Sequence, residues 1–468
     1  MDFDVVIGLE IHAELKTKTK VFCSCKNEFG ELPNKNTCPV CTGMPGALPV
    51  INKKAVELCI KAGLCFGCNI NDYAVMERKN YFYPDLSKAY QISQLAYPIC
   101  LNGGVTLDNG EFKALNRLHL EEDAGKLNHI SRTIGTLVDY NRAGTPLIEI
   151  VTEPVFKNAE EVDEFLKKIR ESLVFADIAN CKMEEGGMRC DVNLSLKPKG
   201  SKELGTRTEM KNLNSFKSVS SAIKYEIKRQ EKILSNGGVV YQETRKWNDD
   251  LGENYPLRSK EESQDYRYFP DPDILPIKIS KEDIEKIKAQ IPMLPTKRRE
   301  IYMEKYMLTK SEAELLTSDK YISDYFDECV KIYYNPKKIA NWILTELLRR
   351  VKESDNSTFP ISEKEFSSIV EMIEDKKITK SNGIILIDEV VKTGKTAETL
   401  AKELNLTSSI TESQIVELLN KFKQENPKAV EDFKTDPKVQ SFIIGYVMKN
   451  TQGKANGQMV KDLIEKIF

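Results

Sequence analysis

The chain has 468 residues, of which 40% are hydrophobic, with 69 Lys+Arg against 71 Asp+Glu. That balance excludes a globally basic nucleic-acid binder, so any RNA contact has to come from local patches. The length predicts about three domains, because single cores seldom grow past ~250 to 300 residues.

The chain begins Met1-Asp-Phe-Asp4, with no basic stretch followed by an apolar run, and no uninterrupted apolar stretch reaches ~18 residues, so a cytoplasmic protein is expected. The first informative element is Val6-Ile-Gly-Leu-Glu-Ile-His-Ala-Glu14. In a strand, alternate side chains share a face. Glu10, His12 and Glu14 therefore project together, with Ile7, Leu9, Ile11, Ala13 and Leu15 forming an apolar face behind them. An edge strand with a solvated face would read the same way.

Next come Cys23-Ser-Cys25, twelve residues, and Cys38-Pro-Val-Cys41. Two close pairs of thiols across a short loop suit a tetrahedral zinc, although the first pair is tighter than the usual Cys-x2-Cys and an ordinary thiol loop remains open. Eleven cysteines in a reducing compartment are thiols or ligands and not disulfides. Cys59, Cys65 and Cys68 lie in or beside the helix-like run Ala55 to Phe66 and read as small buried hydrophobes. The stretch Arg78 to Gln91 mixes cations and tyrosines around Pro84, where Lys79 and Lys88 are candidates for phosphate; a packed surface loop is the alternative.

The polar-faced strand recurs at Arg117-Leu-His-Leu-Glu121, running into Glu122-Asp123-Ala-Gly125-Lys126, at Asp191-Val-Asn-Leu-Ser195 and at Arg207-Thr-Glu-Met-Lys211. Two of the three histidines, His12 and His119, sit on these faces, which points to a concave surface for a metal ion and an anionic substrate. Between them, Leu147 to Glu153 is a strand whose Glu149 and Glu153 share a face, either beside a bound cation or in structural ion pairs. A helix is predicted from the cap Asn214 or Ser215 to Asn236-Gly-Gly238, with the basic row Lys224, Lys228, Arg229 and Lys232 as a solvated face or an RNA contact. Val239 to Tyr241 reads as a strand, and Asp265 to Asp273 closes one large α+β unit.

Pro292 and Pro295 mark a boundary beyond which strand alternation stops. Amphipathic helices follow, including Ile339 to Leu348; Thr407 to Thr411 reads as a linker, and the last module presents Lys449 to Lys454 as a polar loop suited to a phosphate backbone. The expected division is 1–292, 293–404 and 405–468. There is no P-loop, and no histidine beyond His129 to serve a late cysteine nucleophile.

Val6 to His12, Lys79 to Asp85, Leu118 to Lys126, Gly144 to Val151, Met183 to Gly186, Lys211 to Ser215 and Asp265 to Pro270 together resemble, in order, the GatB/GatE family, the B subunits of glutamine-dependent aspartyl/glutamyl-tRNA amidotransferases. The resemblance implies an antiparallel-sheet cradle domain with a kinase-type site, an all-helical domain and a small helical tail that engages tRNA. It implies ATP-driven phosphorylation of the side-chain carboxyl of Glu-tRNA(Gln) or Asp-tRNA(Asn), then attack by ammonia from a glutaminase A subunit, with a small C subunit completing the complex. Glu10, His12 and Glu122 match the family's magnesium positions; strand position adds Glu121, Glu149, Asp191 and Glu209 as catalytic candidates, and Arg207 and Lys211 join Lys79 and Lys88 as candidates for ATP. Cys23, Cys25, Cys38 and Cys41 remain the zinc candidates, since only part of the family carries such a motif. A ligase acting on a small carboxylic acid and a non-catalytic RNA-binding scaffold are the alternative readings.

Overall fold

The computed structural model describes residues 2–131, 135–259, 265–354, 358–407, 412–433, 437–451, 455 and 457–468. The chain forms two compact units, Met1–Thr296 and Lys297–Phe468.

In the first unit the strand Phe3–Glu14 lies in the middle of a ten-stranded sheet, between Met188–Pro198 and Pro146–Thr152. Beyond Met188–Pro198 come Thr208–Lys211, Glu243–Asn248 and Glu253–Ser259; beyond Pro146–Thr152 come Phe112–Glu122 and three shorter strands. Every pairing is antiparallel except that of Thr208–Lys211 with Glu243–Asn248. Ile7, Leu9, Ile11, Ala13 and Leu15 are buried on one face, as their alternation requires. Each Ile or Leu side chain so buried contributes roughly 1.5–3 kcal/mol.

Three helices supply the other half of this core. Lys53–Cys65 buries Leu58, Cys59 and Ile60; Ala159–Phe175 buries Val162, Phe165, Leu166 and Ile169; Phe216–Ser235 buries Val219, Ala222 and Ile223. Asn52, Asn158 and Ser215 cap their N-termini, each side chain accepting a first-turn amide hydrogen. At Gly63 an added Cβ would lie 2.4 Å from Cys100 Sγ, so a side chain there would have to displace the Cys100 side chain. The basic row of the third helix is partly engaged inside the unit: Lys224 pairs with Glu160 at 2.7 Å, and Arg229 pairs with Glu226.

Val239 to Tyr241 is not a strand. Val239 and Tyr241 are exposed, and the ladder begins at Glu243, where a parallel partner becomes available opposite Thr208. Apolar, β-branched composition without a neighbouring strand does not make a sheet. A smaller three-stranded sheet, Glu77–Asn80 with Tyr90–Ser93 and Phe269–Pro270, carries Lys79 and lies beside the end of Phe112–Glu122.

The second unit is helical among its described residues and holds two separate apolar clusters, one from Tyr302 to Ala401 and one from Ile415 to Ile464. The expected helix through Ile339 is present but not uniform: Pro336–Trp342 passes through a π-turn, Ile343–Leu347, into Leu348–Ser354. The wider turn lets Trp342, Ile343 and Leu347 all reach the core. Most of the expected linker, 408–411, and half of the polar loop, 452–454, lie outside the described residues.

Candidate active site

Register assembles the polar face of the sheet. Antiparallel pairing sets Asp191 and Val151 beside Glu10, and Arg189 and Glu149 beside His12. One strand further, Glu149 faces His119 and Leu147 faces Glu121; on the other flank Asn193 faces Glu209. Positions far apart in the chain thus become neighbours, because cross-strand side chains stand ~5 Å apart.

At the centre two imidazoles alternate with two carboxylates. His12 Nε2 is 3.2 Å from Glu121 Oε1 and 3.9 Å from Glu149 Oε2; His119 Nε2 is 3.1 Å from Glu149 Oε2 and 4.0 Å from Glu121 Oε2. Burial disfavours the charged imidazolium of His12, but the hydrogen bond to Glu121 and the fields of Glu149 and Asp191 override it and push its pKa up to about 9. Burial likewise opposes the Glu149 anion, yet His119, His12 and Lys79 hold that carboxyl well below the usual carboxylate range.

Beside this ring, Glu10, Asp191 and Glu209 form a second cluster. Lys211 Nζ donates to Asp191 Oδ2 at 2.5 Å and lies 3.1 Å from Glu209 Oε1, and Asn193 Nδ2 donates to Glu10 Oε1 at 3.0 Å. Burial, then Glu149 and Glu209, raise the Glu10 carboxyl; Asp191 and Glu209 raise the Lys211 ammonium against its own burial. In each trio, His12 with Glu121 and Glu149, and Glu10 with Asp191 and Glu209, the donor atoms all lie within 4.8 Å of one another. Carboxylate oxygens with at most one imidazole suit a hard divalent cation, and of the two trios only the second already holds a lysine.

Over the ring lies an open cavity of about 470 Å³, walled by Lys79, Tyr81, Arg189, Arg207, Lys211 and Tyr266. Lys79 Nζ sits 4.9 Å over the Tyr266 ring, and its pKa is raised, burial opposing and Tyr268, Glu121 and Glu149 prevailing. A smaller hollow of about 250 Å³ shares Glu10 and Arg207 with it and has walls of Val6, Leu9, Val151, Pro154 and Leu204. Arg207 reaches both hollows. The chain before it passes so close to Leu196 that a Cβ on Gly205 would lie 1.9 Å from the Leu196 carbonyl oxygen.

Glu10, His12, Glu121, Glu149, Asp191, Glu209, Lys79, Arg207 and Lys211 are therefore brought together. Glu122 and Lys88 are not among the residues lining this cavity. The Glu122 carboxylate accepts from Lys88 and from the Ile92 amide at 2.9 Å, so the trio Glu10, His12 and Glu122 does not form. The reason is alternation: adjacent residues of a strand point to opposite faces, and Glu121 is the one that faces His12. Glu153 also leaves Glu149, accepting from Asn116 Nδ2 at 2.7 Å. Asp123, not a candidate from the sequence, also lines the cavity and accepts from Arg142 at 2.7 Å while Arg189 lies 3.3 Å away. Ser93 bridges His119 and Glu121, and the sequence offers no signal for this contact or for that of Asp123.

The sulfurs of Cys23, Cys25, Cys38 and Cys41 likewise lie within 4.8 Å of one another. A hydrogen bond from Cys23 opposes burial of Cys41, and with the Cys38 amide and Lys20 brings the Cys41 thiol down to about 4, ready to ligate at neutral pH. Lys20 is fully buried, donates to Asn36 O at 2.7 Å and lies 3.6 Å from Cys41 Sγ, a fixed positive charge against thiolates. Four soft donors of this geometry fit zinc. Ser87 Oγ donates to Cys41 O at 2.7 Å, tying this loop to the segment that carries Lys88.

Comparison with known proteins finds relatives along the whole chain. A family model described as the GatB/GatE catalytic domain matches residues 5–285, and one described as the GatB domain matches residues 324–468. A protein of Caldicellulosiruptor bescii, named as the B subunit of aspartyl/glutamyl-tRNA(Asn/Gln) amidotransferase, is 48% identical, covering 100% of this chain and 99% of the relative. Proteins of the same name from Thermoanaerobacter pseudethanolicus and Persephonella marina are 45% and 44% identical, each over 100% of this chain.

Proposed function

The chain belongs to the GatB/GatE family, and from that premise we propose that it is the B subunit of an aspartyl/glutamyl-tRNA(Asn/Gln) amidotransferase, activating the side-chain carboxyl of mischarged Glu-tRNA(Gln) or Asp-tRNA(Asn) with ATP and converting it to the amide. The observation that carries this reading is the ring of His12, Glu121, Glu149 and His119, the first three of which line one cavity with the cations Lys79, Arg207 and Lys211.

A carboxylate expels oxide poorly, so amide formation at neutral pH requires a better leaving group, and an acyl phosphate provides one. His12, Glu121 and Glu149 would hold magnesium, His12 giving up the proton it shares with Glu121 to do so; the ion when bound supplies charge neutralisation between ATP and the carboxylate. Lys211 and Arg207 line the same wall and would receive phosphate oxygens, Lys211 moving off Asp191 to do so. The smaller hollow, with its Val6, Leu9, Val151 and Pro154 walls, would take the nucleoside, placing the phosphates over Glu10 and Arg207. Lys79, stacked on Tyr266, would hold the substrate carboxylate against the repulsion of Glu121 and Glu149.

Ammonia must come from elsewhere. Among the described residues the three imidazoles are engaged: His12 and His119 with glutamates, His129 with Thr136 Oγ1. Burial pushes the thiols of Cys65, Cys68, Cys181 and Cys329 up to about 12, so none is a poised nucleophile. A glutaminase A subunit and a small C subunit would be the partners, and the four-cysteine loop would hold a structural zinc.

The test is the assembled complex supplied with both mischarged tRNAs. In His12→Ala, tRNA-dependent ATP hydrolysis should fall by two orders of magnitude or more while the partner's glutaminase survives, and free ammonium should not restore amide formation. Undiminished tRNA-dependent ATP hydrolysis would remove the ring from the reaction.

A further inference from the structure

We propose that His119 is a positioning residue. It lies out of reach of substrate and fixes Glu149, and through Ser93 also Glu121, in the orientation in which both face His12. The inference rests on the reading of this cavity as a cation and phosphate site and adds to it how the carboxylates are aimed.

The side chain of His119 is 2% exposed, against 23% for His12, so the two imidazoles are not equivalent. His12 meets the cavity; His119 lies beneath it and is not among the residues lining it. His119 stands directly opposite Glu149 in the ladder, with Nε2 3.1 Å from Glu149 Oε2 and 3.2 Å from Ser93 Oγ. Ser93 Oγ in turn donates to Glu121 Oε2 at 3.2 Å. One buried ring thus touches one of the two carboxylates facing His12 and reaches the other through a single hydroxyl.

The other ring nitrogen argues that this contact is what the position is for. Nδ1 of His119 is buried with no hydrogen-bond partner among the described residues. A residue kept only to fill space would be better served by leucine or methionine, which strand no polar atom. Stranding Nδ1 is tolerable if the Nε2 contact does something packing cannot. A glutamate on a strand has three side-chain torsions, and unless its oxygens are fixed it presents them to a cation only part of the time. Partners behind metal ligands act in this way, and losing one typically weakens affinity by about 10- to 100-fold.

The test is Mn2+ titrated into the full chain in its complex, read by electron paramagnetic resonance of the free ion, for wild type and the variants His119→Leu, His119→Gln, Ser93→Ala and His12→Ala, with melting temperatures alongside. His119→Gln offers an amide N–H near the place of Nε2. The expected result is Mn2+ affinity weakened about 10- to 100-fold in His119→Leu, restored to within about threefold in His119→Gln at a similar melting temperature, weakened to a lesser degree in Ser93→Ala, and lost in His12→Ala. If His119→Leu binds Mn2+ as wild type does while His12→Ala fails, His119 is packing and the proposal is overturned, though the reading of the cavity survives. If His119→Gln loses as much as His119→Leu, the ring ligates directly or holds the fold, which overturns positioning. If wild type and His12→Ala titrate alike, the reading of the cavity itself falls. Should His119→Leu fail to fold, His119→Gln and Ser93→Ala decide: wild-type affinity in Gln with a loss in Ser93→Ala supports the proposal, and any other pair overturns it.

Discussion

The division of labour between two adjacent glutamates gives the most direct check on the geometry. Glu121 Oε1 is 3.2 Å from His12 Nε2 and lines the cavity, whereas Glu122 is held by Lys88 and the Ile92 amide. Glu121→Gln keeps the shape and can still accept from Ser93, but removes one charge from the trio His12, Glu121 and Glu149. A unit charge ~4 Å from a divalent cation, at an effective dielectric near 20, is worth about 8 kcal/mol before dehydration. Dehydration returns most of that, leaving a net loss of about 2 to 3 kcal/mol, or roughly 30- to 150-fold in the Kd for Mn2+. Glu122→Gln should leave that Kd within about threefold of wild type. Its effect should fall on stability instead: Lys88, 13% exposed, loses its buried anionic partner, at a cost of about 1 to 3 kcal/mol. For a unit of this size that lowers Tm by roughly 2 to 12 °C. Mn2+ titration and calorimetry on the two variants separate the effects. If Glu122→Gln weakens Mn2+ binding as much as Glu121→Gln does, the assignment of faces is wrong.

Three further outcomes follow from the same structure. Cys38→Ser should lower bound zinc from near one per chain to well below half, by elemental analysis of protein grown in zinc-replete medium; unchanged metal content would dissociate the four-cysteine loop from zinc. Gly63→Ala should cost about 1 to 3 kcal/mol, because its Cβ would lie 2.4 Å from Cys100 Sγ and 3.1 Å from Ile70 Cδ1; an unchanged denaturation midpoint would mean that the helix moves freely over the sheet. Deleting 412–468 removes the whole Ile415 to Ile464 cluster and should leave the rest of the chain cooperatively folded with weakened tRNA affinity, measured by filter binding and thermal unfolding; aggregation of the shortened chain, or wild-type tRNA affinity, would contradict it.

Much of this is legible in the sequence. Alternation in Ile7 to Leu15 declared a strand with one apolar face, a cap at Asn214 or Ser215 and the apolar spacing declared a helix, with Ser215 the cap in the structure, and the paired cysteines declared their own cluster. These readings succeed because each depends on neighbours within a turn or two of chain, where period and cap chemistry act directly. Val239 to Tyr241 misled for the complementary reason: a strand exists only where another offers its hydrogen bonds, and that partner is not a local property.

The site divides along the same line. The sequence determined which residue types were available and, strand by strand, which of them share a face: Glu10 with His12, His119 with Glu121, Glu209 with Lys211. Only tertiary structure decided which faces meet. The pairing of Phe3–Glu14 with Pro146–Thr152, and of that strand with Phe112–Glu122, brought Glu121 beside His12 and set His119 behind Glu149. Register does this because a shift of one residue exchanges the two faces of a strand. No local pattern in Leu118-His-Leu-Glu-Glu122 records which other strands will lie beside it, so the meeting of its polar face with His12 and Glu149 belongs to the packing of the sheet as a whole.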